Sequence, residues 1–302
     1  MKRSFLAVPA AAALALPLTA CATDSGSGSG VTVVAELYPY AWIAEQVGGD
    51  LVNVTTLVPA GTDAHTFEVS PKQVTEIGGA DLVVLTGAVA TAVDDAVSQA
   101  APAHIVDAAT IVDVLPASED EHDDGDAEEE HAAYDPHTWL AVDQLPAVVD
   151  AVAEALAAID PDHADEFTTN AGALDSRLAD LDAAYRTGLA SCERDTVVVT
   201  HPAFGYLTSA YGLQQVGISG FDEDTEPSPA RIQEVADIAS QTGATTIFMA
   251  NTSSPKVADV LASDLDLDTQ VLSTITGAAD GEDYISLAQD NLTALQQGLG
   301  CS

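Results

Sequence analysis

Short β-branched and aliphatic runs alternate with helix-length amphipathic stretches along most of the chain. One set occupies residues 31–37, 52–58, 81–86 and 104–107, and a second occupies 196–200, 214–218, 245–249 and 269–273. Apolar strands separated by helical patterns fold as βαβ units, whose parallel sheets are covered on both faces. Two sets of four predict an α/β fold of two similar lobes, each a mainly parallel four-stranded sheet flanked by helices.

The segment between the sets has a different period. It opens at Asp160-Pro161, with proline at a helix-start position. Phe167, Ala171, Leu174, Leu178, Leu181 and Tyr185 then recur at spacings of 4, 3, 4, 3 and 4, drawing one apolar stripe down a helix. From Pro161 to Leu189 that helix is about 43 Å long at 1.5 Å per residue. The pattern therefore predicts an N-terminal lobe over 31–159, a linking helix over 160–190 and a C-terminal lobe over 191–302. A rod between lobes limits closure, whereas a pair of crossing loops permits a wide hinge.

The first 30 residues belong to neither set. Lys2 and Arg3 precede an apolar stretch over 5–18, which ends at Leu18-Thr19-Ala20-Cys21 and gives way to the Gly/Ser run 25–30. The apolar run is too short, and too interrupted by Pro9 and Pro17, for a stable membrane span. It resembles the signal peptide of bacterial lipoproteins, which implies removal of 1–20, lipid on Cys21 and a flexible tether over 21–30. The mature chain is then extracytoplasmic and anchored to the cell membrane. That compartment is oxidising, so the two remaining cysteines, Cys192 and Cys301, are expected to pair as a disulfide rather than stay as separate thiols.

Composition narrows the partners. Of 302 residues 47% are hydrophobic, enough for a core, but 48 acids face only 8 Lys+Arg and give a formal charge of −40. Such a surface repels phosphates and excludes general nucleic-acid binding. It attracts cations, although acidity also serves solubility in salty surroundings. Residues 117–131 concentrate nine acids with His122 and His131 and no base. Self-repulsion and the lack of apolar residues predict a disordered insert, capable at most of weak cation capture through His122 and His131 because a mobile loop preorganises nothing.

Three histidines stand apart from the other four. His65 closes Pro59-Ala60-Gly61-Thr62-Asp63-Ala64-His65 beyond the second strand. His137 lies in Asp135-Pro136-His137-Thr138-Trp139 after the insert, and His201 follows the apolar run 196–200. In open α/β sheets ligands bind beyond the carboxyl ends of strands, which is where two of these three fall. A lone histidine at a strand end is more often structural, but three in loops facing one crevice suit Zn²⁺, with a fourth tetrahedral position left for water or a carboxylate. His104 starts a strand and His163 sits on a charged helix turn, so neither joins the set.

Residues 37–50 (Leu-Tyr-Pro through Gly-Gly-Asp), 65–71, Asp135 to Leu140 and His201-Pro202-Ala203-Phe204-Gly205-Tyr206-Leu207 resemble the ZnuA-like zinc branch of solute-binding proteins of metal ABC importers. Glu226-Pro227-Ser228-Pro229, Ser254 to Ala258 and Asp283-Tyr284-Ile285 continue the resemblance, in order, through nearly all of the mature chain. It implies two α/β lobes joined by a long helix, one metal between them, and His65, His137 and His201 as its ligands. It also implies a carrier and not an enzyme: a monomer that captures Zn²⁺ and delivers it to an ABC permease in the plasma membrane. Histidine at 201, where manganese-binding relatives usually have glutamate, implies zinc over manganese or iron.

The chain departs from that family at two places. Ala250 stands where relatives often have an acid, and Leu272-Ser273-Thr274 replaces a frequent Leu-Asp-Pro whose aspartate is a common fourth ligand. Water is the simplest replacement, Asp280 or Asp63 the alternatives, and aspartate restored at 273 is expected to tighten binding. Competing functions are a zinc hydrolase, which three histidines and a water could support but for which no His-Glu-x-x-His or nucleophile motif exists, and a surface adhesin.

Overall fold

The computed structural model describes residues 30–117, 134–220, 227–253 and 255–302. Its first sheet contains β1 (Val31–Ala35), β2 (Val52–Thr56), β3 (Leu82–Leu85) and β4 (Ile105–Asp107). Their order is β2-β1-β3-β4 and every pairing is parallel. β3, reading Leu-Val-Val-Leu, is buried at every position, because a central strand covered on both faces has no wet side. β2 lies at the edge and turns Asn53, Thr55 and Thr56 to solvent. Helices α1 (Tyr38–Gly48), α2 (Pro71–Gly79) and α3 (Thr91–Ala100) connect these strands, and α2 starts at a Ser70/Gln73 capping box with Pro71 at its first position.

α4 (Leu145–Ile159) leads into the linking segment. There the structure differs slightly from the expected helix. Pro161–His163 is a 3₁₀ turn, and α5 (Ala164–Gly188) begins after it as an unbroken 25-residue helix. The buried residues of α5 are Phe167, Ala171, Leu174, Leu178, Leu181 and Tyr185, the stripe that the spacing predicts. These side chains lie in one continuous core with residues of both sheets.

The second sheet repeats the first. β5 (Thr196–Val199), β6 (Gln214–Gly217), β7 (Thr246–Ala250) and β8 (Asp268–Leu272) pair in the order β6-β5-β7-β8, again all parallel. α6 (Gly205–Ala210), α7 (Pro229–Thr242) and α8 (Pro255–Leu265) connect them, and α9 (Tyr284–Leu299) closes the chain. Gly300 ends α9 at φ 68°, a left-handed cap that a Cβ would strain.

Polar contacts bolt α5 to both lobes. Asn170 Nδ2 donates to Val47 O on α1, and Tyr185 OH donates to Ala288 O on α9 at 2.6 Å. Arg177 bridges the two, donating to Gln46 Oε1 and to Asp283 Oδ2 while its guanidinium lies over the Trp42 ring. Trp42 in turn stacks on Tyr284, with ring centroids 5.2 Å apart. A disulfide joins Cys192 to Cys301 across 109 residues of sequence, tying the start of the second lobe to the segment after α9.

No described helix is long and apolar enough to cross a membrane. The expected signal peptide, the lipidated Cys21, and His122 and His131 of the insert lie outside the described residues.

Candidate metal centre

The loops beyond the carboxyl ends of the strands meet between the lobes. His65 is reached through the loop after β2, where Asp63 Oδ1 accepts from His65 N and Asp63 Oδ2 from Thr66 Oγ1. His201 stands two residues past β5, whose ladder is continued by Thr200 N donating to Phe248 O. His137 precedes a 3₁₀ turn at Thr138–Leu140 and is pinned by Asp135, whose Oδ1 accepts from His137 N at 3.0 Å and pairs with His137 Nδ1 at 2.7 Å. His137 and His201 are buried and His65 is half-buried.

The three rings converge through the same atom. His137 Nε2 lies 3.2 Å from His65 Nε2 and 3.2 Å from His201 Nε2. A tetrahedral ion with nitrogen ligands at about 2.0 to 2.1 Å separates those ligands by roughly 3.3 Å, so the spacing already matches an ion's coordination edge. The ligand atoms of all three lie within 4.8 Å of one another, and among the described residues they form the one such group that could hold a metal.

Burial sets the charge state of the cluster. Desolvation, reinforced by neighbouring imidazoles, holds His137 and His201 well below the ordinary histidine pKa, so both are neutral and carry a lone pair. Burial also raises Asp135 to about 7, opposed by the backbone hydrogen bond from His137. A carboxylate on Nδ1 selects the tautomer in which Nε2 is the free donor atom, as in carboxylate–histidine–metal triads. Gly205 makes room for it. A Cβ there would fall 2.5 Å from Asp135 Oδ2 and push the carboxylate off His137.

The lobes are locked together beside the cluster. Trp139 Nε1 donates to Thr274 O at 2.7 Å, and Tyr284 OH donates to Trp139 O at 2.6 Å. Tyr206 OH donates to Asp135 O and accepts from Leu115 N, holding the two stems of the acidic insert against the second lobe. Gly277 faces Ala60 so closely that a Cβ would meet Ala60 Cβ at 2.4 Å, so the two loops approach only because residue 277 has no side chain. The cavity between the loops, about 20 Å³, is lined by the three histidines with Asp63, Trp139, Thr252, Thr274 and Thr276 among its walls.

His65, His137 and His201 are thus brought together. His104 is exposed, and His163 pairs with Asp160 at 2.6 Å on the outside of the linking segment. Asp280 is exposed and does not line the cavity. Ser273 is not among the residues that line the cavity: its Oγ accepts from Ile275 N and its backbone is clasped by Asn291 of α9. Thr274 and Thr276 occupy that wall instead. Sequence reasoning missed them, and missed Asp135 as a separate actor, although an aspartate two residues before a candidate ligand is a signal that could have been used.

The family model for ZnuA, the periplasmic component A of a zinc-uptake complex, matches residues 33–298. The high-affinity zinc uptake system protein ZnuA of Bacillus subtilis is 33% identical over 277 residues, covering 88% of this chain and 87% of that protein. The zinc-binding lipoprotein AdcA of Streptococcus pneumoniae is 34% identical over 277 residues, and the chain spans only 55% of its length. The crystal structure of Zn(II)-bound AdcA from that organism superimposes with a TM-score of 0.75 at 31% identity, covering 89% of this chain and 58% of the other. By the extent of the family match and the identity to the Bacillus relative, this chain belongs to the ZnuA family of periplasmic zinc-uptake components.

Proposed function

We propose that the protein is the extracytoplasmic zinc-capturing component of an ABC importer, holding Zn²⁺ as cargo on His65, His137 and His201 and passing it to a membrane permease. The observation that carries this reading is the convergence of three histidines, with His65 Nε2 and His201 Nε2 each 3.2 Å from His137 Nε2, the edge length of a tetrahedral ion's ligands. Three imidazoles suit zinc better than manganese, which favours oxygen ligands. The relatives named for zinc binding and zinc uptake point the same way. The cavity the histidines line has room for an ion or a water. Monomeric action and anchoring through Cys21 belong to the same proposal.

Protein purified without added metal and then titrated against a chelating competitor should bind one Zn²⁺ per chain tightly and should bind Mn²⁺ far more weakly. Sub-stoichiometric zinc, or equal affinity for both metals, overturns the reading. Asp135→Asn should weaken zinc binding about 10- to 100-fold, the usual cost of losing the outer partner of a ligating histidine, with little change in thermal midpoint. An unchanged zinc affinity would show that the carboxylate does not orient His137.

A further inference from the structure

We infer that Thr86, just past β3, is a positioning residue for the metal: with Glu36 and Tyr40 it holds the chain on both sides of His137. The inference rests on the zinc reading above and adds to it what the first sheet contributes to the site.

The two lobes share a device at the carboxyl ends of their central strands. Glu36 N donates to Val84 O, and Thr200 N donates to Phe248 O. Two residues farther along each partner strand, Thr86 N donates to Glu36 Oε2 and Ala250 N donates to Thr200 Oγ1, both at 2.9 Å. Glu36 is therefore the counterpart of Thr200, and Thr86 that of Ala250. Their surroundings differ. Thr200 is followed by His201, which joins the cluster itself, whereas Glu36 is followed by Leu37, a wholly buried aliphatic residue. The first lobe acts from the same place through the side chain of Thr86, where the second lobe has only a methyl group.

Thr86 Oγ1 touches the residues that flank His137. It accepts from Thr138 Oγ1 at 3.0 Å and donates toward Pro136 O at 3.5 Å. A hydroxyl has one proton, and that of Thr138 goes to Thr86, so Tyr40 OH is the donor in its 2.8 Å bond to Thr138 Oγ1. The protons thus run one way, from Tyr40 on α1 through Thr138 and Thr86 to Pro136. Glu36, Tyr40, Thr86 and Thr138 are all buried, so water does not compete for these bonds. Burial also raises the Glu36 carboxyl well above its ordinary range, opposed by the hydrogen bond from Thr86 N and reinforced by Asp94 and Asp107. Its Oε1 has no hydrogen-bond partner among the described residues, a costly state for a buried polar atom. What the carboxyl supplies in return is the acceptor that fixes Thr86. Asp135 sets the rotation of the His137 ring, and this hydroxyl ladder sets where the backbone carrying the ring lies.

The test measures zinc affinity of the intact protein by competition with a chelator, alongside the thermal midpoint of the metal-free form. Thr86→Val deletes the hydroxyl at nearly constant volume and should weaken zinc about tenfold, the lower end of what loss of a ligand's outer partner costs, whereas Thr86→Ser should keep the affinity. Thr246→Val controls for lost stability alone. Its buried hydroxyl donates to Gly298 O at the other end of the second sheet, so its removal should lower the midpoint and leave zinc affinity unchanged. If Thr86→Val does not fold, Tyr40→Phe carries the test, with a fall of at least about threefold expected from one lost hydrogen bond. Unchanged affinity in the folded Thr86→Val protein, or failing that in Tyr40→Phe, would overturn the inference. An equal loss in Thr86→Ser or in Thr246→Val would overturn it too, since the hydroxyl of Thr86 would then have no particular part. In each of these cases the unaltered protein still binds zinc and the zinc reading stands; an unaltered protein that binds none removes both.

Discussion

Alanine at His65, His137 or His201 should each reduce zinc affinity by at least about a hundredfold, whereas alanine at His104 or His163 should leave it unchanged. The size follows from division. Zinc held by four ligands is worth about 10 to 16 kcal/mol, so one ligand carries roughly 3 kcal/mol. The ordering follows from the geometry: His65 Nε2 and His201 Nε2 each lie 3.2 Å from His137 Nε2, while His104 is exposed and His163 is engaged with Asp160. His137 is central to the cluster, since it faces both other rings at 3.2 Å and is oriented by Asp135. Competition titration of the five variants checks the prediction. Equal losses at all five positions would dismiss the assignment, and a loss confined to His137 would reduce the site to one histidine and its carboxylate.

The second large effect concerns stability and not metal. Converting Cys192 and Cys301 together to alanine opens a loop closed across 109 residues. On chain-entropy grounds such a loop is worth roughly 4 to 5 kcal/mol, which for a chain of this size lowers the thermal midpoint by on the order of 10 °C. Zinc affinity should hardly change, because Cys192 precedes β5 and His201 follows it, so bridge and metal cluster lie at opposite ends of that strand. Calorimetry of the metal-free double variant, with a zinc titration alongside, separates the two quantities. A lost midpoint with unaltered affinity is the expected pair. A marked fall in zinc affinity would mean instead that the bridge shapes the cleft.

A repeated fold makes much of this molecule legible from local patterning. The eight strands lie within two residues of the apolar runs that predict them, since a parallel sheet buried on both faces tolerates little except β-branched and aliphatic residues at its centre. The stripe on α5 is legible for a similar reason: a helix between two lobes must bury one face, and 3.6-residue periodicity shows which. The three histidines could be singled out because strand ends in α/β sheets are where loops converge.

Other features are settled by distances between residues far apart in the chain. Nothing local to Thr274 shows that it faces a cavity and Ser273 does not, because that depends on a left-handed turn at Ile275 and on Asn251 and Asn291 reaching in from other elements. Gly205 and Gly277 read as ordinary glycines until Asp135 and Ala60 are seen pressing against them. Sequence by itself determined the elements, their repeat, the linking helix and the residue types able to bind zinc, since burial and periodicity act between near neighbours. Tertiary structure alone decided which nitrogen of each histidine faces its neighbours, which carboxylate orients His137 and what lines the cavity, because metal geometry is fixed to tenths of an ångström and only the packed lobes specify distances that fine.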